Sequence, residues 1–475
     1  MPISLAVICC SALLSATEVG NVYLPGSLGY TNSLGSYYSQ QAAALSPSCI
    51  AAPTSAEQVS VIVRALVGND CRFAVRSGGH TMHAGSANIA CGVTVDLQGL
   101  DSIELNQDES IASIGPGATW GQVYQTLDPL GLTVLGGRDA TVGVAGLTLG
   151  GGISWLSPRY GWACDMVQRF QIVLADGTIA TVDDETRPDL LFALRGGSNN
   201  FGIVTRFDFK TIEHGQMLGG LNLYDVSTID RFNKEVVGIA TGAYDEYATF
   251  FATYSYTSST GSALVITPTY TKPVANPSVF EGIRSLPTLF STVRITNMSD
   301  LITSSSNDGV GRRNLFRTTT FAANEDVLKA VYSYWQESVS RLAGIEGLSY
   351  LMLMQPLPRV FYQRHASTNA LGLQDRNEDL MIALIWPTWD DPADNELVTQ
   401  ETDILIEKIE LEAKRLNAFD GFKYLNYAAQ DQDPLASYGQ ENVKRLKEIQ
   451  QKYDPHGVFT KNMPGGFKLS NVNAA

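Results

Sequence analysis

Basic clusters, paired zinc-type cysteines and long apolar runs are all missing from this chain. Lys and Arg number 33 against 48 Asp and Glu, for a net charge of −15. Such an acidic chain lacks the footprint for nucleic acid or an anionic membrane surface, so neither is expected as a partner. The six cysteines (9, 10, 49, 71, 91 and 164) form no C-x-x-C pair, which removes the common zinc frameworks. Only five histidines occur. His80 and His83 lie close in sequence, but no further ligands cluster with them, so no metal site is expected. No stretch reaches the roughly 20 apolar residues of a bilayer span, and no repeat or low-complexity tract occurs. Oligomeric state is not readable from such features.

Ile3 to Ala16 is apolar but short, and no Lys or Arg precedes it. It reads equally as the core of an export signal and as an N-terminal helix of the fold. Cys9, Cys10 and Cys49 allow one N-terminal disulfide if the chain is exported. A secreted or vesicular location is therefore expected, with a cytosolic one as the alternative.

What the chain does have is glycine, 43 residues of it, concentrated before residue 205. The stretch from Cys71 to Gly85 organises the rest. Arg72 to Val75 reads as a short buried strand ending in Arg76-Ser77-Gly78-Gly79-His80. Two adjacent glycines let backbone N–H groups converge on an anion. Arg76 adds a positive charge, and His80 stands beside whatever the loop holds. Ahead of it, Pro25 to Gln41 reads as an extended Tyr- and Ser-rich arm, and Ser55 with Gln58 as a capping box for a helix. Val93 to Leu97 is a second strand.

A second glycine-rich stretch follows, Gly136-Gly137-Arg138-Asp139-Ala140-Thr141-Val142-Gly143-Val144-Ala145-Gly146, closing with Gly150-Gly151-Gly152. Its small residues suit close backbone approach to a flat ligand. Phe170 to Leu174 and Thr178 to Val182 form a hairpin around Asp176-Gly177. From His214 the pattern changes to alternating strands (249–256, 263–270, 350–354, 380–386) and long helices (326–342, 396–416), an α+β arrangement.

Together the motifs resemble the FAD-linked oxidases of the berberine-bridge-enzyme-like group, in the vanillyl-alcohol-oxidase/PCMH-type flavoprotein superfamily, and in particular its fungal members. The resemblance rests on Arg-Ser-Gly-Gly-His at 76–80, Thr-Val-Gly-Val-Ala-Gly at 141–146, Tyr-Gly-Trp-Ala-Cys-Asp at 160–165, Gly-Gly-Ser-Asn-Asn-Phe-Gly-Ile-Val-Thr at 196–205, Tyr-Leu-Asn-Tyr at 424–427 and Pro-Gly-Gly-Phe-Lys at 464–468. It implies an α+β chain with an arm at 1–44, a two-lobed FAD-binding PCMH-type domain at 45–214 and a substrate domain with an antiparallel sheet at 215–420. A C-terminal segment at 421–475 returns to the FAD domain.

The resemblance also implies roles. His80 is the residue joined covalently to FAD. Arg76, Ser77, Gly78, Gly79 and Gly85 accompany it in the first loop. Gly136, Thr141, Val142, Gly143, Gly146, Gly150, Gly151 and Gly152 do so in the second, with Ile203, Val204 and Asn426 completing the cofactor set. Many relatives add a second link through a cysteine; Asp139 stands there, and a carboxylate forms no thioether. Val142 matches the position that controls oxygen access, and a valine there implies oxidase behaviour. Tyr427 matches the proton-accepting tyrosine, although a phenol titrates near 10 in water; Asn426 is its neighbour. If Tyr424 to Tyr427 is a strand, Tyr424 faces the other way. Gln355 and Asn369 are candidate substrate contacts. The implied reaction is oxidation of a small secondary metabolite by hydride transfer to FAD, with reoxidation by O₂ to H₂O₂ and with or without ring closure. The alternatives are an oligosaccharide oxidase, a redox-neutral cyclase with FAD as scaffold, and a flavin-loaded binding protein.

Overall fold

The computed structural model describes residues 5–16, 18–304 and 309–472. Three sheets set the architecture. The first has four strands in the order Asn21–Tyr23, Cys49–Ala52, Val93–Asp96, Phe73–Arg76; the edge strand Asn21–Tyr23 pairs antiparallel and the other two pairings run parallel. The helix Ala56–Gly68 covers it, burying Val59, Ile62, Val63 and Leu66 at helical spacing. Ser55 accepts from Gln58 N at the cap, while the Gln58 amide oxygen takes Thr54 N instead of closing the box on Ser55. The second sheet is antiparallel, in the order Ile103–Leu105, Ile111–Ile114, Ile203–Lys210, Val167–Val173, Ile179–Val182.

The third sheet is larger and wholly antiparallel. Its central strands are Gly261–Ile266, Ala252–Thr257, Ser349–Leu357, Leu380–Trp389 and Arg317–Ala322. The period of two along each strand divides its faces. Tyr254, Tyr350, Met352, Met354, Met381, Ala383 and Ile385 enter a core with the helices Ile229–Ala240, Glu325–Leu342 and Asn395–Arg415. The alternate residues Thr253, Ser255, Leu351, Leu353, Leu384 and Trp386 face the first two sheets.

The N-terminal stretch is part of the fold. Leu5–Ser15 is a helix, and Cys9 and Cys10 bond to Cys71 and Cys49. Two bridges therefore form where the sequence allowed one, with Cys71 as the additional partner. Residues 3 and 4 of the apolar stretch lie outside the described residues.

The Tyr- and Ser-rich arm is helical, at Leu28–Gly35 and Gln40–Ala43, because Ser27 and Ser39 cap the two turns. What fastens it is Arg76. This guanidinium is wholly buried; it pairs with Asp96 at 3.4 Å and donates to the Ser33 and Ser36 carbonyls and hydroxyls. The Tyr37 ring lies 4.0 Å from its centre. Arg76→Met leaves the Asp96 carboxylate buried without its cation, and should cost about 3–5 kcal/mol. A urea titration should show a lower midpoint with an unchanged slope.

Candidate functional site

The two glycine loops meet through their backbones. A Cβ placed on Gly78 would lie 2.6 Å from the Cα and N of Gly143, so only glycine permits the contact. Gly79 follows at φ +71°, the left-handed region, and turns the chain so that His80 enters the cleft. Behind the contact is a cavity of about 820 Å³. Ser77 to His80, Asp139, Val142, Gly143, Gly146, Ile203 and Val204 line it together with Tyr427 and residues of the large sheet.

His80 is held by the arm. Its ring stacks on Tyr38 at 3.8 Å between centroids, and Tyr38 N donates to Gly79 O. Burial pushes the imidazole below its ordinary pKa, against the opposing pull of the Asp139 carboxylate. Its Nε2 is buried without a hydrogen-bond partner. Nearby His83 is pushed down to about 4, chiefly by burial.

Arg138 Nη2 donates to the Tyr427 hydroxyl at 2.8 Å, and that hydroxyl donates to Gln355 Oε1 at 3.1 Å. The Arg138 guanidinium also lies over the rings of Phe251 and Trp155, at 4.4 and 5.4 Å. Tyr424 to Tyr427 is no strand: Leu425–Tyr427 is a 3₁₀ turn. The turn brings Tyr424 edge-on to Tyr427, 4.9 Å between centroids, instead of sending it to the opposite face. Asn426 donates to Leu147 O and Tyr424 Oη, both at 3.0 Å, and lines the cavity. Its side chain occupies the space that a Cβ on Gly150 would fill.

Several residues assigned from sequence stand elsewhere. Arg76 points into the arm, away from the cavity. Gly136 packs on the face of Trp120, Gly151 on Trp162 and Leu371, and Gly152 on Leu147 and Ala163; these glycines make room for side chains of the core. Gly85 is pressed by Gly465 through its carbonyl. Thr141 donates both N–H and hydroxyl to Asp139 Oδ1, fixing that carboxylate. Gln355, on the cavity-facing register of its strand, reaches the site through Tyr427. Asn369 is buried outside the cavity, where its amide donates to Asp165 Oδ1 and to His365 O.

Arg138 and Tyr38 were not singled out from the sequence. Arg138 was hidden inside the glycine-rich stretch, and Tyr38 lies some 40 residues from the histidine it orients. The only signal for Tyr38 was the aromatic content of the arm.

An apolar cleft lined by two glycine loops and by a half-buried histidine whose Nε2 has no partner fits a dinucleotide carrying a flat ring system. Tyr427 lines the same cavity. Residues 47–183 match the family described as FAD binding domain, and residues 423–464 the one described as berberine and berberine like. The chain is 37% identical over 484 residues to the FAD-dependent monooxygenase sdcF of Emericella nidulans, taking in 98% of this chain and 99% of that one. It is 39% identical over 477 residues to oligopeptidase PhomG' of Diaporthe leptostromiformis, across 96% of this chain but only 37% of that relative's length.

Among solved structures, 6-hydroxy-D-nicotine oxidase of Arthrobacter nicotinovorans superposes with a TM-score of 0.82 at 24% identity, over 97% of this chain and 100% of that one. A glucooligosaccharide oxidase of Acremonium strictum with 6-S-cysteinyl, 8α-N1-histidyl FAD superposes at 0.79 and 18% identity, over 98% and 99%. These two share the fold. The chain belongs to the berberine-bridge-enzyme-like FAD-dependent oxidoreductases.

Asp165, held by Asn369, has its pKa pushed up to about 7, mainly by burial. Between the ordinary carboxylate value of 3.8 and about 7, the folded chain keeps a proton that the unfolded chain releases. Stability should therefore fall as pH rises through this window and level off above it. In Asp165→Asn the contribution is absent, so melting temperatures from pH 5 to 8 should show a flatter profile than wild type.

Proposed function

We propose that this chain is an oxidase of a small organic substrate of secondary metabolism, with FAD joined covalently to His80 alone. The observation that carries the reading is the hydrogen-bonded chain Arg138–Tyr427–Gln355, set at the same cavity as His80, whose Nε2 has no hydrogen-bond partner. FAD bound there supplies the two-electron acceptor and returns to its oxidised form by giving H₂O₂ from O₂.

The residues divide the remaining work. Burial keeps the His80 imidazole neutral, and Tyr38 fixes its plane, so a ring lone pair is available for the covalent bond. Ser77, Gly78, Gly79, Gly143 and Gly146 hold the cofactor by close backbone approach. Asp139 offers no thiol, which leaves the link through histidine single. Val142 is small and lines the cavity, leaving a path for O₂.

Tyr427 takes the proton from the substrate as it is oxidised. For that step the phenol first gives up its own proton to solvent, and the Arg138 N–H already aimed at its oxygen holds the resulting negative charge until the substrate proton neutralises it. Asn426 is fixed by Leu147 and Tyr424, and supports the turn that presents Tyr427. The region 215–420 acts as the substrate domain, 45–214 as the FAD domain, and 421–475 closes the site. Two disulfides in the N-terminal region favour a secreted or vesicular location.

The apolar wall of Leu351, Leu353, Leu384 and Trp386 favours a hydrophobic substrate over an oligosaccharide. The relative sdcF is named a monooxygenase, so the fate of oxygen separates two chemistries. Under ¹⁸O₂, an oxidase releases labelled H₂O₂ and leaves the organic product unlabelled; label in the product would replace the oxidase reading by oxygenation.

Acid precipitation tests the covalent bond. Wild type should carry its yellow chromophore into the pellet, and His80→Ala should release it to the supernatant. A colourless wild-type pellet from flavin-loaded protein would end the covalent assignment. Tyr427→Phe should retain flavin in the pellet and lose roughly 10²–10⁴-fold in the rate of anaerobic flavin bleaching by substrate. An unchanged rate would remove Tyr427 from the proton transfer.

A further inference from the structure

Arg138 is only partly satisfied where it lies. Nη2 is committed to Tyr427, and two aromatic faces flank the guanidinium, but Nη1 is buried with no hydrogen-bond partner. Among the described residues Arg138 forms no ion pair. The second orphan is close in the same network: Gln355 accepts the Tyr427 hydroxyl on Oε1, yet its Nε2 is buried without a partner. Two N–H donors, one of them cationic, thus flank the phenol that handles the proton. Neither has an acceptor from the chain.

Burying a cationic N–H without a counter-charge is unfavourable, and so is burying any donor without an acceptor. Both deficits are removed by one kind of group, an oxygen that bears negative charge. The walls around it are Phe251, Trp155, Phe316 and Trp386, which suit a flat apolar body.

We propose that this site selects substrates with an anionic oxygen, a carboxylate or an ionised phenol or enol, which Arg138 Nη1 binds beside Tyr427, with Gln355 acting through its bond to Tyr427. The proposal deepens the oxidase reading and rests on it for the placement of substrate near Tyr427. The overall charge of −15 works against it: a protein this acidic repels anions in general, so a preference for them has to come from a local cation. Arg138 acts here as a specificity determinant.

The test uses the flavin-loaded protein and two pairs of probes matched in shape. These are 2-naphthoate with 2-naphthamide, and pentafluorophenolate with pentafluoroanisole, each titrated against the flavin absorbance spectrum. Wild type should bind the anionic member of at least one pair about tenfold or more tightly than the neutral one. Arg138→Met should abolish the difference, Arg138→Lys should keep part of it, and Gln355→Leu should reduce it.

Equal affinity within both pairs in wild type overturns the proposal with no variant needed. So does a preference that survives in Arg138→Met. If Arg138 serves the flavin instead, Arg138→Met changes the ligand-free flavin spectrum while the wild-type pairs bind alike, and the proposal again fails. The oxidase reading fails separately. Anion preference without flavin bleaching by any oxidisable substrate would sink that reading alone, whereas H₂O₂ release from neutral substrates with no anion preference would sink only this inference.

Discussion

The contact between Gly78 and Gly143 is the constraint on which the site depends. It joins a loop after a strand of the parallel sheet to a loop packed against the antiparallel one. Neither loop makes a cavity alone. A side chain at either position would hold the two backbones apart, and His80 and Val142 would then no longer line a common space. The requirement is steric, and its consequence is chemical. Backbone N–H groups from two independent loops can converge on one ligand only if nothing stands between them. The neighbouring glycines serve other needs: Gly136 yields to Trp120, and Gly150 yields to Asn426.

From that contact outward, the parts are held by buried polar groups that have few alternatives. Arg76 has no water to turn to, so its bonds to Ser33, Ser36 and Asp96 fix the arm, and the arm places Tyr38 on His80. The residue that sequence assigned to an anion is thus a tether, two steps removed from His80. The large sheet works by alternation. Its odd and even residues serve different neighbours, so helices can be packed on one face while the other is free to form a cavity wall.

The order and type of most elements were legible from the sequence. Periodicity marked the helices at 325–342 and 395–415 and the strands at 349–357 and 380–389 within a few residues. The family and the FAD-binding character were legible too, because glycine loops and their neighbours carry local constraints that survive as motifs. Three-dimensional convergence was not. The second disulfide, the stacking of Tyr38 on His80 and the withdrawal of Asn369 to Asp165 all join residues far apart in sequence with no local pattern. Tyr424 misled for a related reason. Four residues cannot distinguish a strand from a 3₁₀ turn, and the two place position 424 on opposite sides of the chain.

Arg138 shows why a glycine-rich motif is a poor guide to its own non-glycine members. Within six residues, Arg138, Asp139, Val142 and Gly143 face four different demands: the phenol, the imidazole, the cavity and the opposite loop. Small neighbours make this possible. Where glycines remove side-chain bulk, one tight loop can aim a guanidinium and a carboxylate in different directions without either packing against the other. The carboxylate nearest in sequence to Arg138 is therefore turned to its own loop, where Thr141 holds it, and the cation is left to the cavity. A salt bridge between adjacent residues would have satisfied both charges within the loop. The Asx-type bonds from Thr141 hold Asp139 Oδ1 within the loop, and Arg138 lines the cavity with no ion pair among the described residues.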